Sequence, residues 1–227
     1  MKTEHRANGN YSVRKMTLSG LLAGAYDMPS SRIEGAPSWW KDDRFDIDAR
    51  YQPADPSVPM PPLTVLLQSM LRDRFALVAH TEKRNLPVYA LRVVRTDHRL
   101  GPGLRRSTLE CAGVDRPSNA RDRNTKASNG APACGAIEDP EEFIGSAITL
   151  DGLAQALRPP TGRDVVNDTR LAGRWDVTLQ FAPIGEAGSD KPSVFTAVQE
   201  QLGLRLEPST ASLDVLVVDS VNRPTPN

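Results

Sequence analysis

Three separate patches of this sequence recur further along it at nearly one spacing, and that recurrence constrains the fold more than any other feature. Met16-Thr17-Leu18-Ser19-Gly20-Leu21-Leu22 returns as Ile148-Thr149-Leu150-Asp151-Gly152-Leu153-Ala154, and Arg44-Phe45-Asp46-Ile47 returns as Arg174-Trp175-Asp176-Val177. Leu63, Leu67, Gln68 and Leu71 return as Val194, Val198, Gln199 and Leu202. The offsets are 132, 130 and 131 residues, and three patches sharing one offset identify two homologous halves. A chain of 227 residues therefore holds two copies of one unit, and a solenoid of many units is unlikely.

Periodicity of 3.6 residues marks four short amphipathic helices. Leu18, Leu21, Leu22 and Ala25 share a face behind a Thr17 cap, and Leu63, Leu66, Leu67, Met70 and Leu71 share one after Pro61 and Pro62. Leu150, Leu153, Ala154 and Leu157 follow Thr149, and Val194, Phe195, Val198 and Leu202 follow Ser193. Strands are expected after them: an alternating run at Phe75, Leu77 and Ala79, a second run at Val88–Val94, then Arg174–Phe181 and a continuous apolar run within Leu213–Val218 that reads as central.

Helices of two or three turns bury their apolar stripe only against another element. The expected fold class is thus α+β, a duplicated unit of short amphipathic helices packed on antiparallel β-sheet. The expected organisation is a first α/β half over 1–94, an irregular insert over 95–140, and a second α/β half over 141–227. The 19 prolines and 16 glycines fit many turns, Gly101-Pro102-Gly103 among them. Within the insert, Asn119–Gly130 has no apolar period and reads as loop or disorder.

Charge bounds the partners. Lysine plus arginine and aspartate plus glutamate each total 28, so the net charge is +0, and no nucleic-acid partner is expected from the overall field. The insert gathers Arg105, Arg106, Arg116, Arg121, Arg123 and Lys126, offset by Glu110, Asp115 and Asp122, and reads as a solvated loop. No apolar run approaches the length of a transmembrane segment. Residues 1–9 carry no apolar signal core, so a cytosolic location or a lost export signal is expected from the sequence alone. Cys111 and Cys134, if oxidised, close a loop worth roughly 3 kcal/mol; their spacing alone does not settle the compartment.

The chemistry-bearing residues are sparse. His5, His80 and His98 are far apart in sequence, without the spacing of a zinc site, so no metal and no cofactor is expected. Asp73, His80 and Glu82 near Ser69 or Thr81 are the nearest approach to a nucleophilic constellation, but no G-x-S-x-G, Walker loop or G-x-G-x-x-G accompanies them. Asp42, Asp43, Asp46 and Asp48 read as solvated charge on and beside a strand. Trp39, Trp40 and Tyr51, beside Pro37 and Ser38, are the candidate binding residues; the alternative is that they close the core.

Ile33-Glu34-Gly35-Ala36-Pro37-Ser38-Trp39 followed by Asp43–Ala49 resembles the opening of the DUF3738 family of uncharacterised bacterial, mainly acidobacterial, proteins. Further matching residues are Asp73-Arg74-Phe75, His80, Glu82, Arg84, Leu86–Tyr89, Asp168-Thr169, Leu171–Asp176, Leu202–Leu204 and Val215–Asp219. The resemblance implies an exported protein, periplasmic or extracytoplasmic, and a disulfide between Cys111 and Cys134 as in many members. It carries over no catalytic residue. The leading expectation is a non-enzymatic cell-envelope protein whose partner is an envelope protein, a peptide or a wall component. The alternative is a hydrolase-type enzyme with its site between the two halves.

Overall fold

A computed structural model describes residues 3–6, 10–52, 60–94, 100–109, 111, 134–183 and 189–225. The first half contains β1 (Thr3–Arg6), β2 (Asn10–Thr17), α1 (Leu18–Tyr26), β3 (Ile33–Glu34), β4 (Arg44–Arg50), α2 (Leu63–Phe75) and β5 (Val78–Val93). After β6 (Leu104–Arg106) the second half answers it with β7 (Gly135–Asp139), β8 (Glu142–Ile148), α3 (Leu150–Ala156), α4 (Arg158–Thr161), β9 (Val165–Asn167), β10 (Trp175–Gln180), α5 (Val194–Leu202) and β11 (Leu204–Ser220). The four helices with readable periodicity are all present.

Their caps are the ones the sequence signals. Thr17 Oγ1 accepts from Gly20 N, Thr149 Oγ1 from Gly152 N, and Ser193 Oγ from Thr196 N, each satisfying an amide that the first helical turn leaves open. At the other end, α5 stops at Gly203 in the left-handed region.

The repeated Arg-aromatic-Asp segment has a structural cause. In each half the strand leading into the first helix carries a bulge, where Lys15 and Ala147 adopt φ of 54° and 51°. These conformations are unfavourable for residues with a Cβ. Asp46 Oδ1 accepts from Lys15 N at 2.8 Å while Arg44 donates to Lys15 O at 3.2 Å. Asp176 Oδ1 accepts from Ala147 N at 2.9 Å and Arg174 donates to Ala147 O at 3.0 Å. Arginine and aspartate thus hold both polar groups of the bulged residue, while the aromatic between them, Phe45 or Trp175, packs into the core. Asp46, read from the sequence as solvated charge, is a clasp, and Asp176 is its counterpart in the second half.

Strand orders are β1-β2-β4, β6-β10-β8-β7 and β3-β11-β5-β9. The first two repeat one design, an antiparallel hairpin with a third antiparallel strand beside it. The third sheet is mixed: β3 runs parallel to β11 and β9 parallel to β5, where antiparallel pairing alone is expected from the sequence. Chain contacts divide the molecule into two compact units, one formed by 1–84 with 212–227 and the other by 85–211, so β5 and β11 each contribute to both.

Each unit has its own core. In the first, Leu18, Leu21 and Leu22 of α1 meet Leu67 and Leu71 of α2 and Leu216 of β11. In the second, Leu150 and Leu153 of α3 meet Val198 and Leu202 of α5 and Val177 and Leu179 of β10. Gly101 and Gly103 dock on the end of α5, donating to Leu202 O and Gln201 O. A Cβ on Gly101 would stand 2.2 Å from Gln201 O, so only glycine fits there.

Several strand expectations are corrected. Phe75 closes α2 rather than opening a strand; the chain turns at Ala76, φ 48°. The runs expected as two strands around Ala79 and Val88 are one strand, because Asn85-Leu86-Pro87 continues it instead of turning. The last strand begins at Leu204, well before Leu213. The insert read as irregular contains β6 and β7. Asn119–Gly130, together with Glu110, Asp115, Arg116 and His98, lies outside the described residues.

Candidate binding groove

In the 85–211 unit, the β7–β8 hairpin turns through Pro140, and α4 follows α3 with Pro159 and Pro160 at its first positions, where a missing N–H is tolerated. The walls between them are fixed by hydrogen bonds to backbone carbonyls. Leu157 N donates to Leu153 O at 3.0 Å, Thr161 Oγ1 to Leu157 O at 2.7 Å, and Phe181 N to Glu141 O at 3.0 Å. Arg158 and Asp164 pair at 3.2 Å beside the left-handed turn at Gly162 that ends α4.

What they enclose is an apolar groove of about 380 Å³, in the size range of small-ligand sites. Phe143, Leu157 and Phe181 form its depth, and Pro159, Pro160 and Pro183 form stiff walls. Glu138, Asp139 and Glu142 stand at its acidic margin. Burial pushes the Glu138 carboxyl above its ordinary pKa. Neighbouring Glu141 is neutralised by Lys191 at 2.6 Å, and Glu142 accepts from Gln180 at 2.8 Å. Among the described residues, no lysine, arginine, histidine, cysteine or hydroxyl side chain lines the groove. Its chemistry is that of holding an apolar body beside a negative margin.

The sequence-based candidates lie elsewhere. Trp39 and Trp40 sit on a 3-10 turn, half-buried against the core of the other unit; Trp39 meets Phe45 edge-on and carries Arg223 over its ring, and Lys41 lies over Trp40. Tyr51 is half-buried just past the far end of β4, roughly 20 Å along the strand from its start. The strand thus separates Tyr51 from the tryptophans along its length. A disulfide joins Cys111 and Cys134, with Cα atoms 5.9 Å apart.

His80 is the centre of an exposed network. Its Nδ1 lies 2.9 Å from Asp219 Oδ2 and its Nε2 3.2 Å from Glu82 Oε1, and Arg84 bridges Glu82 and Glu34. The hydrogen bonds to Asp219 and then Glu82 raise the His80 pKa, while Arg84 and then His80 lower that of Glu82. Both imidazole nitrogens face carboxylates. Ser69 Oγ accepts from Arg72, Thr81 points to the other side of β5, and Asp73 lies on the exposed surface of α2. Among the described residues, the imidazole's two hydrogen-bond partners are carboxylates, and neither Ser69 nor Thr81 is one of them. Asp48 is held below the usual carboxylate range by hydrogen bonds from Arg14 and Ser12.

Arg105 pairs in register with Asp176, and Arg106 lies over the Trp175 ring and donates to Ala172 O, so these two insert arginines belong to sheet edge and core cover. Among the described residues no group of three or more His, Cys, Asp or Glu is placed to hold a metal ion, and no helix is long and apolar enough to cross a membrane.

The groove itself was not singled out from sequence. Its residues come from four elements, and the only local signals were the Pro159-Pro160 pair and the Glu138–Glu142 acidic run. A family model described as "Protein of unknown function (DUF3738)" matches residues 19–221. No curated protein matches the chain, and no solved structure matches it.

Proposed function

The chain belongs to the DUF3738 family, and from that premise we propose that it is a non-enzymatic binding protein of the cell envelope whose ligand site is the groove of the 85–211 unit. The observation that carries this reading is the groove itself: preformed, apolar, and held by hydrogen bonds to backbone carbonyls and by prolines. A preformed concave apolar site with few polar groups is the ordinary form of a ligand pocket. The envelope location is supported by the family resemblance and by the Cys111–Cys134 disulfide, which persists in oxidising compartments.

Titration with Nile red, an uncharged apolar fluorophore, tests the site. Saturable enhancement with the parent protein and its loss in Ala156→Phe, which adds a ring to the groove wall, are the expected results. Equal enhancement in both proteins would remove the groove from consideration. Fractionation of the native host, with mass spectrometry of the chain, tests the location. A processed, disulfide-linked protein in the envelope fraction is expected, and intact Met1 with free thiols in the cytoplasm would overturn it.

A further inference from the structure

Three features of the groove margin meet on one strand. β7 is the last strand of the order β6-β10-β8-β7, so among the described residues no strand pairs with its outer edge. Its final three residues, Ile137, Glu138 and Asp139, are exposed, and Ile137 is an apolar side chain left 39% accessible. Glu138 and Asp139 also line the groove. An edge strand with free N–H and C=O groups is a template for pairing, and native proteins usually blunt it or use it.

The charge at this edge is one-sided. Of the carboxylates here, Glu141 is answered by Lys191 and Glu142 by the Gln180 amide. Glu138 and Asp139 have no ion-pair partner among the described residues, and no cationic side chain lines the groove. Among the described residues, the margin of an apolar site therefore carries two uncompensated carboxylates beside an unpaired backbone edge. A ligand that satisfies all three features supplies backbone hydrogen-bonding groups, an apolar side chain and a cation.

We propose that the outer edge of β7 and the adjoining groove take an extended cationic peptide, which adds as a strand to β7, places an apolar side chain against Phe143, Leu157 and Phe181, and sets a lysine or arginine beside Glu138 and Asp139. The proposal rests on the groove being the ligand site. In an extended peptide successive side chains point to opposite faces, so an apolar residue and a basic residue two positions apart share the face turned to the groove. Main-chain bonds to β7 supply affinity that does not depend on sequence; the groove and the carboxylates select.

Fluorescence anisotropy with a labelled nine-residue peptide tests it, using a sequence in which valine and lysine share one face and serines occupy the other. Three comparison probes accompany it: the same peptide with lysine replaced by glutamine, the same peptide N-methylated on alternate residues, and dodecyltrimethylammonium. The parent protein is expected to bind the cationic peptide saturably. The Glu138→Gln/Asp139→Asn double variant and the glutamine peptide should each weaken binding about five- to tenfold, and combining them should add little. N-methylation of the amides that face β7 should abolish binding.

If the double variant binds the cationic and glutamine peptides as the parent does, the charge assignment is overturned while the groove stands. If N-methylation of the amides that face β7 has no effect, strand addition is overturned. Saturable binding of dodecyltrimethylammonium without peptide binding overturns the peptide in favour of a cationic amphiphile. If Ala156→Phe leaves peptide binding intact while Nile red is also unaffected, the groove reading falls first and the peptide with it. Melting curves of each variant, expected within 2 °C of the parent for these exposed carboxylates, separate lost binding from lost fold.

Discussion

The two copies of the hairpin-and-helix unit share a backbone device and differ in what surrounds it. In both, arginine and aspartate grip a bulged residue with positive φ, and a threonine caps the helix that follows. Around the first copy, β4 is the last strand of its sheet and alternates between exposed and half-buried residues. Around the second, β6 covers the equivalent β10, whose Trp175, Val177 and Leu179 are buried. Arg106 lies over Trp175, and the Gly101-Pro102-Gly103 turn seats on α5. The groove described above lies in the second copy. The two copies thus share the turn that aims the helix and differ in the flank that covers the strand.

The largest test of this comparison removes matched core leucines. Leu21→Ala and Leu153→Ala each empty a fully buried position on equivalent helices and should each destabilise by about 2–5 kcal/mol in chemical denaturation. A difference between them beyond that range would show that the copies do not bear load alike.

Breaking the clasp is next. Asp176→Ala leaves the amide of buried Ala147 without its acceptor and should cost about 2 kcal/mol, whereas Asp46→Ala, which leaves the exposed Lys15 amide to water, should cost about 1 kcal/mol. Equal losses would mean that β6 adds no shielding. Lys15→Gly and Ala147→Gly, which relieve the positive φ, should stabilise each copy by a few tenths to about 1 kcal/mol when measured the same way.

The smallest effect is a pH dependence confined to the 1–84 and 212–227 unit. His80 has a raised pKa in the folded protein, so its contribution is fully present below the unfolded value of about 6.5 and is lost as pH rises through the folded value. His80→Asn should therefore melt lower than the parent near pH 6 and alike near pH 9. A constant difference across that interval would sink the assignment of the effect to His80 protonation.

What was legible in the sequence was whatever repeats locally. Helix stripes such as Leu18, Leu21 and Leu22, with Thr17 before them, carry both period and cap, and the structure has them as read. The long strands were not legible. Residues 80–87 of β5 and 205–212 of β11 are largely exposed or half-buried, so the two-residue alternation that betrays a strand is missing, and Pro87 and Pro208 imitate breaks. Asp46 reads as solvent charge, and the role of Asp176 is hidden, because their partners, the amides of Lys15 and Ala147, lie about thirty residues away. The groove was invisible for the same reason: Phe143, Leu157, Pro160 and Phe181 form no spacing pattern along the chain. Trp39 and Trp40, the obvious aromatics, pack on the first core.

The third sheet carries a consequence for the two halves of the sequence. β3 pairs with β11 and β9 pairs with β5, so each half of the sequence finds the neighbour of its short parallel strand in the other half. A chain cut between the halves separates both pairs, and the pieces restore them only by coming back together. In these terms the sheet is a fastening between the two lengths of sequence: neither carries the partner of its own short parallel strand, and each lends the other a neighbour.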